Sequence, residues 1–141
     1  MHRPIALFIL AATFDAPADA GEIVVRIENV ASATGEVGCA LYSSEAGFPM
    51  DSAAAAQQWH RAVSGSAVCR YSGLPAGRYA VAVSHDLDGD RRTDTNLVGI
   101  PTEAWGVSNN VRPMLRAPRF EEAAVAIPGD GTATIAIRLA Q

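Results

Sequence analysis

Apolar residues recur at every second position through several stretches of this chain, and that period constrains the fold more than any other feature. In residues 22–30, Ile23, Val25 and Ile27 fall on one face of an extended chain, and charged side chains fall on the other. Because successive side chains of a β-strand point to opposite sides of a sheet, this pattern predicts half-buried strands. The same period predicts strands over residues 36–43, 67–72, 78–85, 120–127 and 132–139.

These segments predict an all-β fold, because strands with one apolar face bury it best against a second sheet. We therefore predict a β-sandwich of about seven strands. Residues 128–131 read Pro-Gly-Asp-Gly, a sequence typical of the turn of a hairpin. One short helical insertion is predicted over residues 53–61, where four alanines follow the candidate caps Asp51 and Ser52. We expect Trp59 to pack this helix onto a sheet.

Residues 97–118 follow neither the strand period nor the helix period. A connection longer than about 15 residues is uncommon in a compact domain and is often functional. Because this one carries several large apolar side chains, we expect it to be ordered and packed. The side chains in question are Ile100, Trp105, Val107, Met114 and Leu115.

The first residues are typical of a secretory signal peptide. Arg3 precedes the apolar residues 5–12, and Ala-Asp-Ala follows at 18–20. The apolar stretch is far shorter than the roughly 20 residues that span a bilayer, so no transmembrane span is predicted. We predict a signal peptide over residues 1–20 and a single β-sandwich domain over residues 21–141, located in the periplasm or outside the cell. The alternative is a buried strand or helix at the start of the domain.

The charge balance argues against a nucleic-acid partner. All eleven basic residues are arginines, and the whole chain has a formal net charge of −4. Removing residues 1–20 would leave ten arginines against thirteen acidic residues. Dispersed arginines on a slightly acidic domain give no cationic surface of the kind that neutralises phosphates.

Two cysteines remain in an exported chain, and one disulfide between them is the simplest arrangement. We predict that Cys39 and Cys69 pair, because both lie on neighbouring strand candidates. The alternative is two free buried thiols.

The tract at residues 85–96 predicts a cation-binding loop. Asp86, Asp88, Asp90 and Asp94 place four carboxylates within nine residues, and Asn96 closes the run. Like charges this close repel one another unless a cation or hydrogen-bond donors hold them. Carboxylate and amide oxygens at short spacing suit Ca²⁺, which takes six to eight oxygen ligands. The alternative is an acidic turn that neighbouring arginines neutralise.

Two groups of residues carry a family resemblance. Residues 73–79 read Gly-Leu-Pro-Ala-Gly-Arg-Tyr, a phrase common in transthyretin-like and other immunoglobulin-like modules, with Tyr79 pointing into the sandwich. The second group resembles the central block of the DUF2141 family. It consists of residues 85–90, 94–96, 99–103, 105–106 and 108–110.

The resemblance to DUF2141 spans residues 22–141. It implies an exported, transthyretin-like β-sandwich and supplies no established catalytic residues. Trp105 departs from the family pattern, where a smaller aromatic residue is expected. The cysteine pair is not expected across the family.

No motif predicts catalysis. A Ser-His-Asp arrangement can be drawn from Ser108, His85 and an aspartate, but no nucleophile elbow surrounds the serine. His85 is better interpreted as a hydrogen-bonded residue at a strand end. A candidate ligand surface comprises Glu103, Trp105, Ser108, Asn109 and Asn110. In the alternative interpretation, Trp105 plugs a sheet edge and the asparagines satisfy loop carbonyls.

Together these observations predict a non-enzymatic binding or structural module. Its partner would be a protein or a component of the cell envelope. The competing hypothesis is a small periplasmic hydrolase that uses the loops of residues 85–110.

The signal peptide can be tested by intact mass. We expect the exported protein to begin at Gly21, because cleavage follows the small residues Ala18 and Ala20. A secreted species that retains residues 1–20 would contradict this prediction.

Overall fold

The computed structural model describes residues 20–92 and 102–141. Within them the chain forms eight strands, one short α-helix and two 3₁₀ turns. The strands are β1 (Gly21–Val30), β2 (Glu36–Tyr42), β3 (Ala56–Arg61), β4 (Gly65–Leu74), β5 (Gly77–Asp86), β6 (Trp105–Val107), β7 (Val125–Ile127) and β8 (Thr132–Arg138). The helix α1 is Phe120–Ala123, and the 3₁₀ turns are Ser52–Ala54 and Ser108–Asn110.

The strands form two sheets that face each other, as the alternating pattern predicted. The three-stranded sheet has the order β4-β1-β8. In it, β1 runs antiparallel to β4 and parallel to β8, with pairs from Glu22↔Thr132 to Glu28↔Arg138. The five-stranded sheet has the order β3-β2-β5-β6, and β7 also pairs with β5. The prediction of an all-β sandwich is confirmed.

The main core lies between the sheets and follows the two-residue period. Ile23, Val25 and Ile27 of β1 are fully buried and meet inward residues of β5 such as Val81 and Val83. Each buried side chain of this size contributes about 1.5–3 kcal/mol relative to an exposed one. The alternation on β1 and β5 therefore specifies which face of each sheet is covered.

Tyr79 enters this core at the start of β5. Its side chain is buried, and its hydroxyl donates a hydrogen bond to the Pro75 carbonyl at 2.7 Å. The bond fixes the tight connection that takes the chain from β4 in one sheet to β5 in the other. The inward orientation predicted for Tyr79 is confirmed.

The predicted disulfide is present and joins the two sheets. Cys39 in β2 and Cys69 in β4 are bonded with an S–S distance of 1.99 Å and a Cα–Cα distance of 6.7 Å. The two strands belong to different sheets, so the bond crosses the core instead of linking neighbours in one sheet. Tyr71 of β4 also links the two sheets next to the disulfide. Its hydroxyl lies 3.0 Å from the Cys39 carbonyl and 3.1 Å from the Ala56 carbonyl.

The helix predicted over residues 53–61 is wrong. Asp51 caps only the single turn Ser52–Ala54, by accepting a hydrogen bond from the Ala53 N–H at 3.1 Å. From Ala56 onward the chain is strand β3, which pairs with β2. The ladder with β2 outweighs the helix propensity of alanine, which amounts to less than about 1 kcal/mol per residue.

The strand predicted over residues 120–127 is shorter than expected, and the hairpin predicted at residues 128–131 is wrong. Phe120–Ala123 is helical, because the Glu122 carboxylate accepts a hydrogen bond from the Arg119 N–H at 2.9 Å and caps the turn. The strand begins only at Val125. Since β7 pairs with β5 and β8 pairs with β1, residues 128–131 carry the chain between sheets.

The packing expected for residues 97–118 holds only in part. Val107 is fully buried and Trp105 is half-buried, but Met114 and Leu115 are 95% and 97% exposed. The prediction was therefore wrong for these two side chains, and Ile100 lies outside the described residues. The segment that the signal peptide was predicted to occupy also lies outside them, apart from Ala20. Among the residues described, no helix is long and apolar enough to cross a membrane.

The disulfide should be a large contributor to stability. It closes a loop with a sequence separation of 30 residues, for which chain entropy gives about 3–4 kcal/mol. Reduction should lower the free energy of unfolding by this amount in a denaturant titration. The double variant Cys39→Ala/Cys69→Ala serves as control, because adding reductant should leave its unfolding curve unchanged.

Candidate functional site

The aspartate tract begins where β5 ends, and Asp86 organises it. The Asp86 side chain is 1% exposed. Its Oδ1 accepts a hydrogen bond from the Gly89 N–H at 3.0 Å, and its Oδ2 accepts one from the Arg91 N–H at 2.6 Å. Gly89 and Arg91 both have positive φ, which turns the loop around the carboxylate. One buried carboxylate therefore sets the path of the loop.

Three carboxylates converge at this loop. Asp86, Asp88 and Glu103 each place a carboxylate oxygen within 4.8 Å of the other two. Glu103 is 5% exposed and accepts a hydrogen bond from the Leu87 N–H at 3.0 Å. We call these three residues the acid cluster. Glu103 was predicted as part of a ligand surface, and its place in the acid cluster depends on a tertiary contact.

The other predicted metal ligands are not in the acid cluster as described. Asp90 is not among the carboxylates that converge within 4.8 Å, and it accepts a hydrogen bond from the Arg92 N–H at 2.9 Å. Asp94 and Asn96 lie outside the described residues.

Opposing effects act on the Asp86 carboxyl of the acid cluster. Burial raises the pKa of the Asp86 carboxyl, and neighbouring Asp88 raises it further. Hydrogen bonds from the Arg91 and Gly89 N–H groups oppose the rise. The Arg91 guanidinium bonds to the Glu36 carboxylate at 3.1 and 3.2 Å, and its charge also acts on Asp86. Buried carboxylates this close to one another are stabilised by a proton or by a cation.

His85 faces away from the acid cluster, into the sandwich. It is 1% exposed, and its Nε2 lies 2.7 Å from the Thr34 carbonyl. A carbonyl only accepts, so this nitrogen carries the proton. The bond agrees with the interpretation of His85 as a hydrogen-bonded residue at a strand end.

The polar residues predicted as a ligand surface bind the backbone of the domain. Ser108 is fully buried; its Oγ donates to the Ala123 carbonyl at 2.5 Å and accepts from the Val81 N–H at 3.0 Å. Asn109 donates to the carbonyls of Glu122 and Ala124. Asn110 donates to the Ala136 carbonyl and accepts from the Arg138 N–H. These bonds fit the interpretation in which the asparagines satisfy carbonyls.

A second feature was missed in the sequence. Trp59 of β3, Gly38 of β2, Ser84 of β5 and Trp105 of β6 are successive partners in one row across the five-stranded sheet. They line a groove of about 690 Å³ on the outer face of that sheet. We call it the tryptophan groove. Trp59 was predicted to lie in a helix, so its place in one row with Trp105 across the sheet could not be inferred.

Residues 25–136 match the model of a family described as an uncharacterized protein conserved in bacteria, DUF2141. The chain belongs to the DUF2141 family. The family named from the sequence is thereby confirmed, and the family description assigns no reaction or ligand. No curated protein and no solved structure matches this DUF2141 chain. The transthyretin-like description stays a prediction.

Ser108 should be a structural residue of this DUF2141 domain. Replacing it by alanine would leave the buried Val81 N–H without its acceptor, at a cost of about 1–3 kcal/mol. Chemical denaturation of Ser108→Ala should show this loss. Ser72→Ala on β4, an exposed position, should change the free energy of unfolding by less than about 0.5 kcal/mol. A Ser108→Ala domain of unchanged stability would contradict the prediction.

Proposed function

We propose that the domain is an exported, non-enzymatic binding or structural module whose acid cluster binds Ca²⁺. The convergence of Asp86, Asp88 and Glu103 within 4.8 Å carries this proposal. Two of the three carboxylates are almost fully buried, and Ca²⁺ would offset the cost of holding them there together. Waters on the side of exposed Asp88 would complete the coordination.

Ca²⁺ suits the acid cluster better than a transition metal. All of its candidate ligand atoms are hard carboxylate oxygens, whereas zinc and copper sites favour imidazole or thiolate. His85 turns its Nε2 to the Thr34 carbonyl, and both cysteines are in the disulfide. Bound Ca²⁺ would fasten the loop after β5 to Glu103, which precedes β6, and would thereby stabilise one end of the five-stranded sheet.

A binding or structural role is preferred to hydrolysis because of how the candidate catalytic groups are used. The Ser108 hydroxyl is buried and bonded to two backbone groups. The His85 ring is equally buried and bonded to the Thr34 carbonyl. A hydrolase needs a nucleophile that can reach its substrate, and both the Ser108 hydroxyl and the His85 ring are buried.

Export is supported by the disulfide. Disulfides persist in oxidising compartments such as the periplasm and are rare in the cytosol. The bond between Cys39 and Cys69 therefore agrees with the signal peptide proposed for residues 1–20. The partner of an exported module of this kind would be a protein or a component of the cell envelope.

Calcium should raise the melting temperature of the domain, because it binds only the folded state. At a free concentration of 100 times Kd, the gain is about 2.7 kcal/mol, or a rise in Tm on the order of 10 °C. Scanning calorimetry with Ca²⁺, with Mg²⁺ and with chelator measures this shift. Mg²⁺ should give the smaller shift, because it dehydrates reluctantly and demands regular octahedral geometry.

Two matched variants locate the ion. Asp88→Asn removes a charge from the acid cluster but keeps the oxygen that accepts from the Asp90 N–H, so the Ca²⁺-dependent shift should vanish. Asp90→Asn makes the same change two residues away, outside the acid cluster, and should retain most of the shift. Equal losses in both variants, or no shift in the unmodified protein, would refute the proposed site.

A further inference from the structure

The floor of the tryptophan groove is made of small residues. On the outer face of the five-stranded sheet, Gly38 pairs with Ser84 and Ala40 pairs with Ala82. The Trp59 ring covers Gly38, whereas the short side chains of Ala40, Ala82 and Ser84 leave the rest of the floor open. The adjoining part of the same face is covered by a second apolar cluster, made of Ala80, Val107 and Ala123 with Phe48 and Phe120. The groove is therefore the part of this sheet face that the chain leaves open in the described residues.

Trp59 and Trp105 form the walls of the groove, and an arginine contacts each of them. The Trp59 ring lies across Gly38, where a Cβ atom would meet a ring carbon at 2.4 Å. The Arg91 guanidinium lies 5.3 Å from the centroid of this ring. On the other side, the Arg112 guanidinium stacks on Trp105 at 3.9 Å and donates to the Ala140 carbonyl at 3.1 Å. Cation–π contacts of this kind fix the indoles on both sides of the floor.

The rim of the groove is unusually apolar for a surface. Met50, Met114 and Leu115 line it and are 46%, 95% and 97% exposed. Large apolar side chains clustered in water mark a site that another molecule covers. Methionine is unbranched and adapts its shape to a flexible apolar ligand.

Arginines outnumber acidic residues among the side chains that line the groove. The chain carries a net charge of −4, yet Arg91, Arg92 and Arg116 line the groove against one acid, Asp51. Two of these arginines already pair with glutamates. Arg92 makes no ion pair within residues 20–92 and 102–141, and it is the arginine that we assign to a ligand.

We propose that the tryptophan groove binds a fatty carboxylate. The acyl chain lies on the floor between the indoles of Trp59 and Trp105, in contact with the apolar rim, and the carboxylate faces Arg92. A volume of about 690 Å³ falls within the range of roughly 300–1,000 Å³ that small-molecule sites occupy. This inference goes beyond the binding of Ca²⁺ and does not require it.

Dodecanoate, kept below its micelle concentration, is the direct probe. Because both tryptophans of the chain line the groove, intrinsic fluorescence reports binding, and calorimetry gives the stoichiometry. The titration is run in EDTA, which prevents calcium soaps and makes the result independent of the acid cluster. We expect saturable binding of one molecule per chain, with dodecyltrimethylammonium at least tenfold weaker because its charge is reversed.

Matched variants test the floor and the charge separately. Ser84→Leu fills the floor and should reduce affinity at least tenfold, whereas Ser72→Leu, on the outer face of the other sheet, should not. Arg92→Gln should weaken binding about fivefold, the size of a partly exposed ion pair, whereas Arg26→Gln should leave it unchanged. Because Arg92 is exposed, its variant tests the proposal even if Ser84→Leu fails to fold.

Three results would overturn the proposal. One is the absence of saturable dodecanoate binding. Another is equal affinity for the cationic amphiphile, or for Arg92→Gln and the unmodified protein. The third is binding to phosphatidylglycerol vesicles without binding to monomeric dodecanoate, which would indicate a membrane surface in place of a single bound molecule.

Discussion

Strand β5 imposes the constraint on which the other parts of this structure depend. Its inward side chains Tyr79, Val81 and Val83 fill the core between the sheets, and its outward side chains Ala80, Ala82 and Ser84 are small. Large residues on one side hold the sandwich together, and small residues on the other leave room for the groove. The last residue of the same strand is Asp86, which arranges the loop that carries the acid cluster. Core, groove and acid cluster thus share one strand and its two-residue period.

The sequence predicted features that depend on local pattern and missed those that depend on distant contacts. Alternation on β1 and β5 predicted the sandwich, and an even cysteine count predicted the disulfide. The alanines before Trp59 predicted a helix, because propensity is local while the partner strand β2 is remote. Residues 120–127 were predicted to be a strand from their apolar pattern. Residues 120–123 are helical instead, because Glu122 caps the turn.

The same distinction applies to the candidate site. Asp86 and Asp88 could be named from their spacing, since both lie in one loop. Glu103 joins them only because the chain returns to this end of the sheet, and no spacing rule connects it to the tract. Asp90 fits the spacing equally well but is not among the carboxylates that converge. Which carboxylates of an acidic turn converge depends on backbone geometry, which residue identity alone does not specify.

The parallel pairing of β1 with β8 has a mechanical consequence. Seven partner pairs join the first and last strands, and because the strands are parallel, β1 begins at one end of the ladder while β8 ends at the other. A force that pulls the two strands apart along their length would load all these pairs in shear at once, instead of unzipping them one by one. The disulfide would keep the loop between Cys39 and Cys69 from extending under that force. A length of chain on the order of 100 Å would therefore not stretch. A domain built in this way would resist extension along β1 and β8.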